Sequence, residues 1–264
     1  MTKIKIISMD FDGTLLTSQK TITDRTKKCI QNLQSKSYII IGITARNLLS
    51  VKNVLDVNLF DYIILNNGSD IYYVKEDKVE SISQIKNDII KEIYNLCDKK
   101  ASQIDFCGSH KYFIKTNNKS DDRPFIKYIS NLDEVDNSVS RMNVFFDNLD
   151  ELEDNRKVIE NISSNINVIK MLNTDNNDSR IWLTINPKEA NKLETLKKLC
   201  DYLKCTIDEV VFFGDGENDL ILIENAGIGV AMDNAIESVK EKASFITLSN
   251  DNDGVAEYLE NNLL

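Results

Sequence analysis

The sequence predicts an α/β protein: a parallel sheet flanked by helices, split by an inserted α+β domain. Three observations predict this. Short apolar runs alternate with helical patterns in the first 65 or so residues, and the alternation returns after residue 185. Several apolar runs of that repeat stop abruptly at a polar cluster, most of these bearing glycine. Between the two halves lies a stretch of about a hundred residues with a different pattern.

In chain order, residues 4–8 (IKIIS) read as a buried strand running into Asp10-Phe11-Asp12-Gly13-Thr14. Residues 24–35 read as a helix with Thr23 as its N-cap. A second strand at 38–43 ends at Thr44-Ala45-Arg46, and a helix is expected at 47–55. A third strand at 62–65 ends at Asn66-Asn67-Gly68. Strands joined by helices at this spacing imply parallel pairing.

The core is therefore assigned to residues 1–83 and 185–264, and the insertion to 84–184. Within the insertion, helices are expected near 85–99, 122–131 and 149–162, and strands at 142–146 and 166–171. Polar runs at 117–122 and 173–179 read as loops. After the insertion come a helix at 188–203, a strand at 209–213 and Gly214-Asp215-Gly216-Glu217-Asn218-Asp219. A helix from 219 to 224, strands at 228–231 and 245–247, and a closing helix at 255–260 complete the pattern.

Composition bounds the function. The 264 residues carry a formal charge of −10, which argues against nucleic acid as the main partner. The longest apolar runs, such as 38–41 and 210–213, are far short of the roughly 20 residues that span a bilayer. The N-terminus lacks a signal-peptide layout, so a cytoplasmic location is expected, with no membrane partner. The five cysteines show no C-x-x-C spacing and are expected reduced and buried. His110 stands alone in the insertion and is expected to be structural or exposed.

Four clusters carry the chemistry. In open parallel sheets, ligands bind beyond the carboxyl ends of the strands, so clusters there should converge. Asp10 and Asp12 can face one cavity if Gly13 turns the loop, and two close acids call for a cation. Magnesium, a hard oxygen-seeking ion, fits them. Thr44 ahead of a helix suits a phosphate oxygen, or simply an N-cap. Lys192 offers a point charge, although most lysines, such as Lys188, are solvated. The loop from Gly214 to Asp219 supplies oxygen ligands but lacks calcium-loop spacing.

Together these motifs resemble the haloacid dehalogenase-like phosphohydrolase superfamily, in its Cof-type branch with a type IIB (C2) cap. The resemblance rests on Asp10-Phe11-Asp12-Gly13-Thr14-Leu15-Leu16, Thr44-Ala45-Arg46, Asn66-Asn67-Gly68 and Ile185-Asn186-Pro187-Lys188 running to Lys192. It continues through Gly214-Asp215-Gly216-Glu217-Asn218-Asp219, the run from Gly227 to Ala235, and Asn252-Asp253-Gly254-Val255-Ala256. It covers the core on both sides of the insertion. The inserted cap matches in size and position only. The chain departs from the branch's frequent glycines at Ala45, Glu189, Leu193 and Asp233.

The resemblance implies a Rossmann-like core and a Mg²⁺-dependent phosphatase acting on small phosphorylated metabolites, such as sugar phosphates or cofactor precursors. It makes Asp10 the nucleophile, Asp12 the general acid/base, and Thr44, Ala45 and Lys192 the phosphate-binding residues. It assigns the metal to Asp10, the Asp12 backbone carbonyl and Asp215, with Asn218 and Asp219 in support. A phosphosugar mutase or a non-enzymatic phosphate and Mg²⁺ sensor would use the same scaffold. The chain is expected to be a monomer or small homo-oligomer.

Overall fold

The structure is a computed structural model that describes residues 3–108, 110–135, 139–172 and 180–264. The chain divides into two compact units: residues 1–80 with 191–264, and residues 81–190.

The first unit begins with β1 (Ile6–Asp10), α1 (Asp24–Ser35), β2 (Ile39–Ile43), α2 (Leu48–Val54), β3 (Tyr62–Leu65), β4 (Asp70–Tyr73) and β5 (Lys78–Ser81). The second contains α3 (Asn87–Cys97), β6 (Gln103–Cys107), β7 (Tyr112–Thr116), β8 (Ile126–Tyr128), β9 (Arg141–Phe146), α4 (Leu149–Ile162), β10 (Ile166–Leu172) and β11 (Ile181–Pro187). The first unit resumes with α5 (Lys192–Tyr202), β12 (Val210–Gly214), α6 (Leu220–Asn225), β13 (Ile228–Ala231), α7 (Glu237–Lys240), β14 (Phe245–Ile246) and α8 (Gly254–Asn262).

The first unit is built on an eight-stranded sheet in the order β14-β13-β12-β1-β2-β3-β4-β5. Pairing is parallel from β14 to β3, and β4 returns antiparallel to β3. All five residues of β1 are buried, as expected of a central strand covered on both faces. Helix α1 has the bounds read from its pattern. Thr23 caps it by accepting from the Thr26 amide, and Thr26, Cys29, Ile30 and Leu33 form its buried stripe. That stripe joins a core containing Met9, Phe11, Val211 and Phe213.

The second unit is a six-stranded sheet in the order β10-β11-β9-β6-β7-β8. Its pairing is antiparallel except between β7 and β8. Ile104, Phe106, Val144 and Leu183 share a core with Ile89 and Ile93 of α3 and Leu152 and Ile159 of α4. Trp182 stacks on Phe145 at 5.4 Å between ring centres, and His110 is exposed.

The helix expected at 122–131 is absent. Residues Ile126–Tyr128 form β8, and a 3-10 turn follows at Leu132–Glu134. Pro124 lacks an amide donor, and Phe125, Ile126 and Tyr128 favour an extended chain. The helix expected from residue 188 starts at Lys192 instead. Strand β11 runs on to Pro187, and the side chain of Asn191, a better cap, accepts from the Leu193 and Glu194 amides. The sequence pattern predicts none of β4, β5, β6, β7 and β11. The loop expected at 117–122 has no regular structure, whereas the one at 173–179 lies outside the described residues.

Phe213 is fully buried and packs edge-on against Tyr258 at 5.4 Å. Phe213→Ala is expected to cost about 3–5 kcal/mol of unfolding free energy, read from a urea titration followed by circular dichroism.

Candidate active site

Strand β1 lies between β2 and β12, where the sheet order changes direction. Side chains at the carboxyl ends of these strands face a common crevice. Asp10 ends β1, Thr44 follows β2, and Asp215 follows β12. Residues some 200 positions apart are brought together.

Carboxylate oxygens of Asp10, Asp215 and Asp219 lie within 4.8 Å of one another. Lys192 Nζ donates to Asp10 Oδ1 and to Asp219 Oδ1, both at 2.8 Å. Asp219 Oδ2 accepts from the amides of Asp215 and Gly216 at 3.2 Å each. Asp219 therefore has both oxygens engaged inside the protein and holds Lys192 and the loop. Asp10 and Asp215 remain the carboxylates suited to a cation. Asp215 Oδ1 accepts from Thr14 Oγ1 at 2.8 Å.

Gly13 lets the two loops meet. Its φ is +83°, and a Cβ there would lie 2.2 Å from Asp215 Oδ2. A side chain would collide with the carboxylate and strain the backbone.

Asp12 belongs to a separate cluster. Arg46 grips it in a bidentate pair, Nε to Oδ2 and Nη2 to Oδ1, both at 2.7 Å. Lys20 Nζ adds a contact to Oδ1 at 2.9 Å. Thr44 is buried. Its amide donates to the Ile64 carbonyl, and its Oγ1 accepts from the Arg46 amide at 3.1 Å. It does not cap α2. Asn47 does, accepting from the Ser50 amide. Ala45 lies between Thr44 and Arg46 in the same loop. Asn218 is exposed, with its Oδ1 2.8 Å from where a Gly216 Cβ would stand.

Burial divides the acids by charge preference. Desolvation pushes the Asp10 carboxyl up to about 7, against the attraction of Lys192. Desolvation likewise raises Asp215 to about 6, opposed by the Thr14 hydrogen bond. For Asp12, desolvation is outweighed by the hydrogen bonds from Arg46 and Lys20, and its carboxyl falls to about 2. Burial alone would lower the Lys192 ammonium, but attraction to Asp10 and Asp219 holds it above its ordinary range.

The donor set fits a divalent hard cation. Three carboxylates face one ammonium, all donors are oxygen, and Asp10 and Asp215 lack full charge compensation within the protein. The residues expected at the site thus assemble as two clusters: Asp10, Asp215, Asp219 and Lys192 in one, Asp12 in the other. Sequence reasoning missed the pairing of Arg46 with Asp12, the Lys20 contact and the Thr14 bond. Thr14 and Arg46 lie inside motifs already singled out, whereas Lys20 had no signal.

The family model described as haloacid dehalogenase-like hydrolase matches residues 7–259. The chain is 29% identical over 265 residues to 5-amino-6-(5-phospho-D-ribitylamino)uracil phosphatase YcsE of Bacillus subtilis, covering 96% of this chain and 93% of that protein. It is 29% identical to the putative phosphatase YxeH of Bacillus subtilis, covering 96% of each. Its structure is similar to a haloacid dehalogenase-like hydrolase from Bacteroides thetaiotaomicron, with a TM-score of 0.85, 28% identity, and 98% and 99% of the two chains covered.

Asp10 and Asp215 bind protons more tightly when folded than unfolded, so their contribution to stability falls as pH rises through about 6 to 7. In metal-free protein the Tm is expected to fall between pH 5 and pH 8, and Asp215→Asn should flatten that fall. An added divalent cation should raise the Tm more at pH 8 than at pH 5, with proton release measurable by calorimetry.

Proposed function

The chain belongs to the haloacid dehalogenase-like hydrolase family, and from that premise we propose that it hydrolyses small phosphate monoesters with Mg²⁺ through an aspartyl phosphate at Asp10. The observation that carries this reading is the buried contact of Lys192 with Asp10 beside Asp215, at the carboxyl end of the central strand.

Asp10 and Asp215, with the Asp12 backbone carbonyl, would hold the ion. When bound it neutralises carboxylate charge, so that an anionic nucleophile can approach a phosphate dianion. Lys192 fixes the Asp10 carboxylate through Oδ1 and brings positive charge to the transferring group. The Thr44 hydroxyl donates to a second phosphoryl oxygen. Its Oγ1 already accepts from the Arg46 amide, which leaves the hydroxyl proton available to donate. Asp219 holds Lys192, and Asn218 braces the loop of Asp215. Because phosphoryl transfer requires little covalent work from the protein, position and charge supply most of the rate.

In the first half-reaction an Asp10 oxygen bonds to phosphorus, and the ester P–O bond breaks. The leaving oxygen keeps the electron pair and takes a proton from Asp12. In the second, the Asp12 carboxylate takes a proton from water. The water oxygen attacks phosphorus, and the bond to Asp10 breaks. The pair with Arg46 and Lys20 favours the carboxylate form that this second step uses. Delivering a proton requires Asp12 to leave that pair.

The substrate class is the small phosphorylated metabolites. The phosphoribitylaminouracil named for the Bacillus subtilis relative is one candidate for a screen.

Asp10→Asn is expected to abolish phosphate release from p-nitrophenyl phosphate while the circular dichroism spectrum is kept. Asp12→Asn is expected to slow turnover of an alkyl phosphate by about 10²–10⁴-fold. Wild-type rates in either variant would remove that residue's role.

A further inference from the structure

The turn after β3 has no part in the chemistry above, yet its backbone is unusual. Asn66, Asn67 and Gly68 lie consecutively in the left-handed region, with φ of 49°, 56° and 99°. Such a run is disfavoured for residues with a side chain and persists only where its surroundings enforce it. Asn66 and Gly68 are buried, and Asn66 Nδ2 donates to Asp70 Oδ2 at 2.7 Å.

The turn is bonded on two sides. Toward the loop after β2, the Asn66 amide donates to the Arg46 carbonyl at 3.0 Å and the Asn67 amide to the Thr44 carbonyl at 3.1 Å. Toward α5, the Gly68 carbonyl accepts from Thr195 Oγ1 at 2.7 Å, with Thr195 only 1% exposed. The approach is close. A Cβ on Gly68 would stand 2.6 Å from Asn191 C and O, and 2.9 Å from the Lys192 amide nitrogen. Lys192 is the first residue of α5, so whatever locates that first turn locates its ammonium.

We propose that the Asn66–Gly68 turn, clasped by Thr195, is a strut that sets the spacing between Thr44 and Lys192. The proposal rests on the phosphatase reading, in which those two side chains take phosphoryl oxygens. Gly68 and Thr195 are positioning residues and touch no reacting atom. The left-handed turn lets two carbonyls be met by successive amides while Gly68 passes against the helix start. A residue with a side chain at position 68 would push α5 and the Lys192 ammonium away from Asp10.

Thr195→Val keeps the shape and removes the donor, whereas Thr195→Ser keeps the donor. Each is compared with wild type for Tm, for kcat and KM with p-nitrophenyl phosphate, and for inhibition by inorganic phosphate. Thr195→Val is expected to lower kcat about tenfold and weaken phosphate inhibition comparably, since misplacement of about 1 Å can cost up to about a hundredfold. Thr195→Ser should restore kcat and phosphate inhibition. Gly68→Ala, where it folds, should show a larger loss of the same kind.

A folded Thr195→Val with wild-type kcat and phosphate inhibition overturns the proposal. So does a Thr195→Ser variant as impaired as Thr195→Val. An active Asp10→Asn protein would instead overturn the phosphatase reading itself.

Discussion

A single ammonium, Lys192 Nζ, stands between the carboxylates of Asp10 and Asp219, and the site is organised around it. All three groups are almost completely buried, with side chains 1–8% exposed. Each ion has lost its hydration, an effective penalty of several kcal/mol that only close pairing offsets. Lys192 also opens helix α5, where the helix dipole disfavours a cation. The two acids reverse that preference. The contact joins the end of β1, the loop after β12 and the start of α5, elements that are distant in sequence. One ammonium cannot balance three carboxylates. The deficit left at Asp10 and Asp215 is what makes the pocket receptive to a divalent ion.

Asp10 and Asp12 are two residues apart yet respond to their surroundings in opposite directions. Asp10 faces the buried cluster, and desolvation raises its carboxyl. Asp12 is partly exposed, and its hydrogen bonds with Arg46 and Lys20 win over its own desolvation. Opposed environments for neighbouring acids are a recurrent way of assigning different roles to identical groups. Here the loop geometry makes the division. Gly13 turns the chain onto Asp215, so that the two acids do not compete for the same partners.

Much of the first unit was legible because its signals are local. Thr23 and the stripe through Cys29, Ile30 and Leu33 mark α1 with its observed bounds. The strands at Tyr62–Leu65 and Ile228–Ala231 are short apolar runs bounded by glycine or asparagine. The second unit was harder. The Gln103–Cys107 strand mixes buried apolar residues with Asp105, so it shows no clean alternation. In the segment at 122–131, Phe125, Tyr128 and Ile129 fall at helical spacing, but Pro124 and the β-favouring side chains decide for a strand. At the site, Asp10, Asp215 and Lys192 came from motifs. The bond between Thr195 and Gly68 came from none, because it depends on how closely α5 approaches a turn 127 residues away. Lys20 likewise reaches Asp12 from a turn, with a backbone φ of 60°, that no motif marks.

The convergence of Asp10 and Asp215 on one ion is the claim on which the chemistry stands. A crystal structure of the Mg²⁺ complex with beryllofluoride, a phosphoryl mimic, tests it most directly. The account predicts one octahedral ion about 2.0–2.1 Å from an oxygen of each of those carboxylates, with beryllium on Asp10 and its fluorines facing Thr44 and Lys192. An ion held by other residues, or the mimic seated away from Asp10, would contradict it.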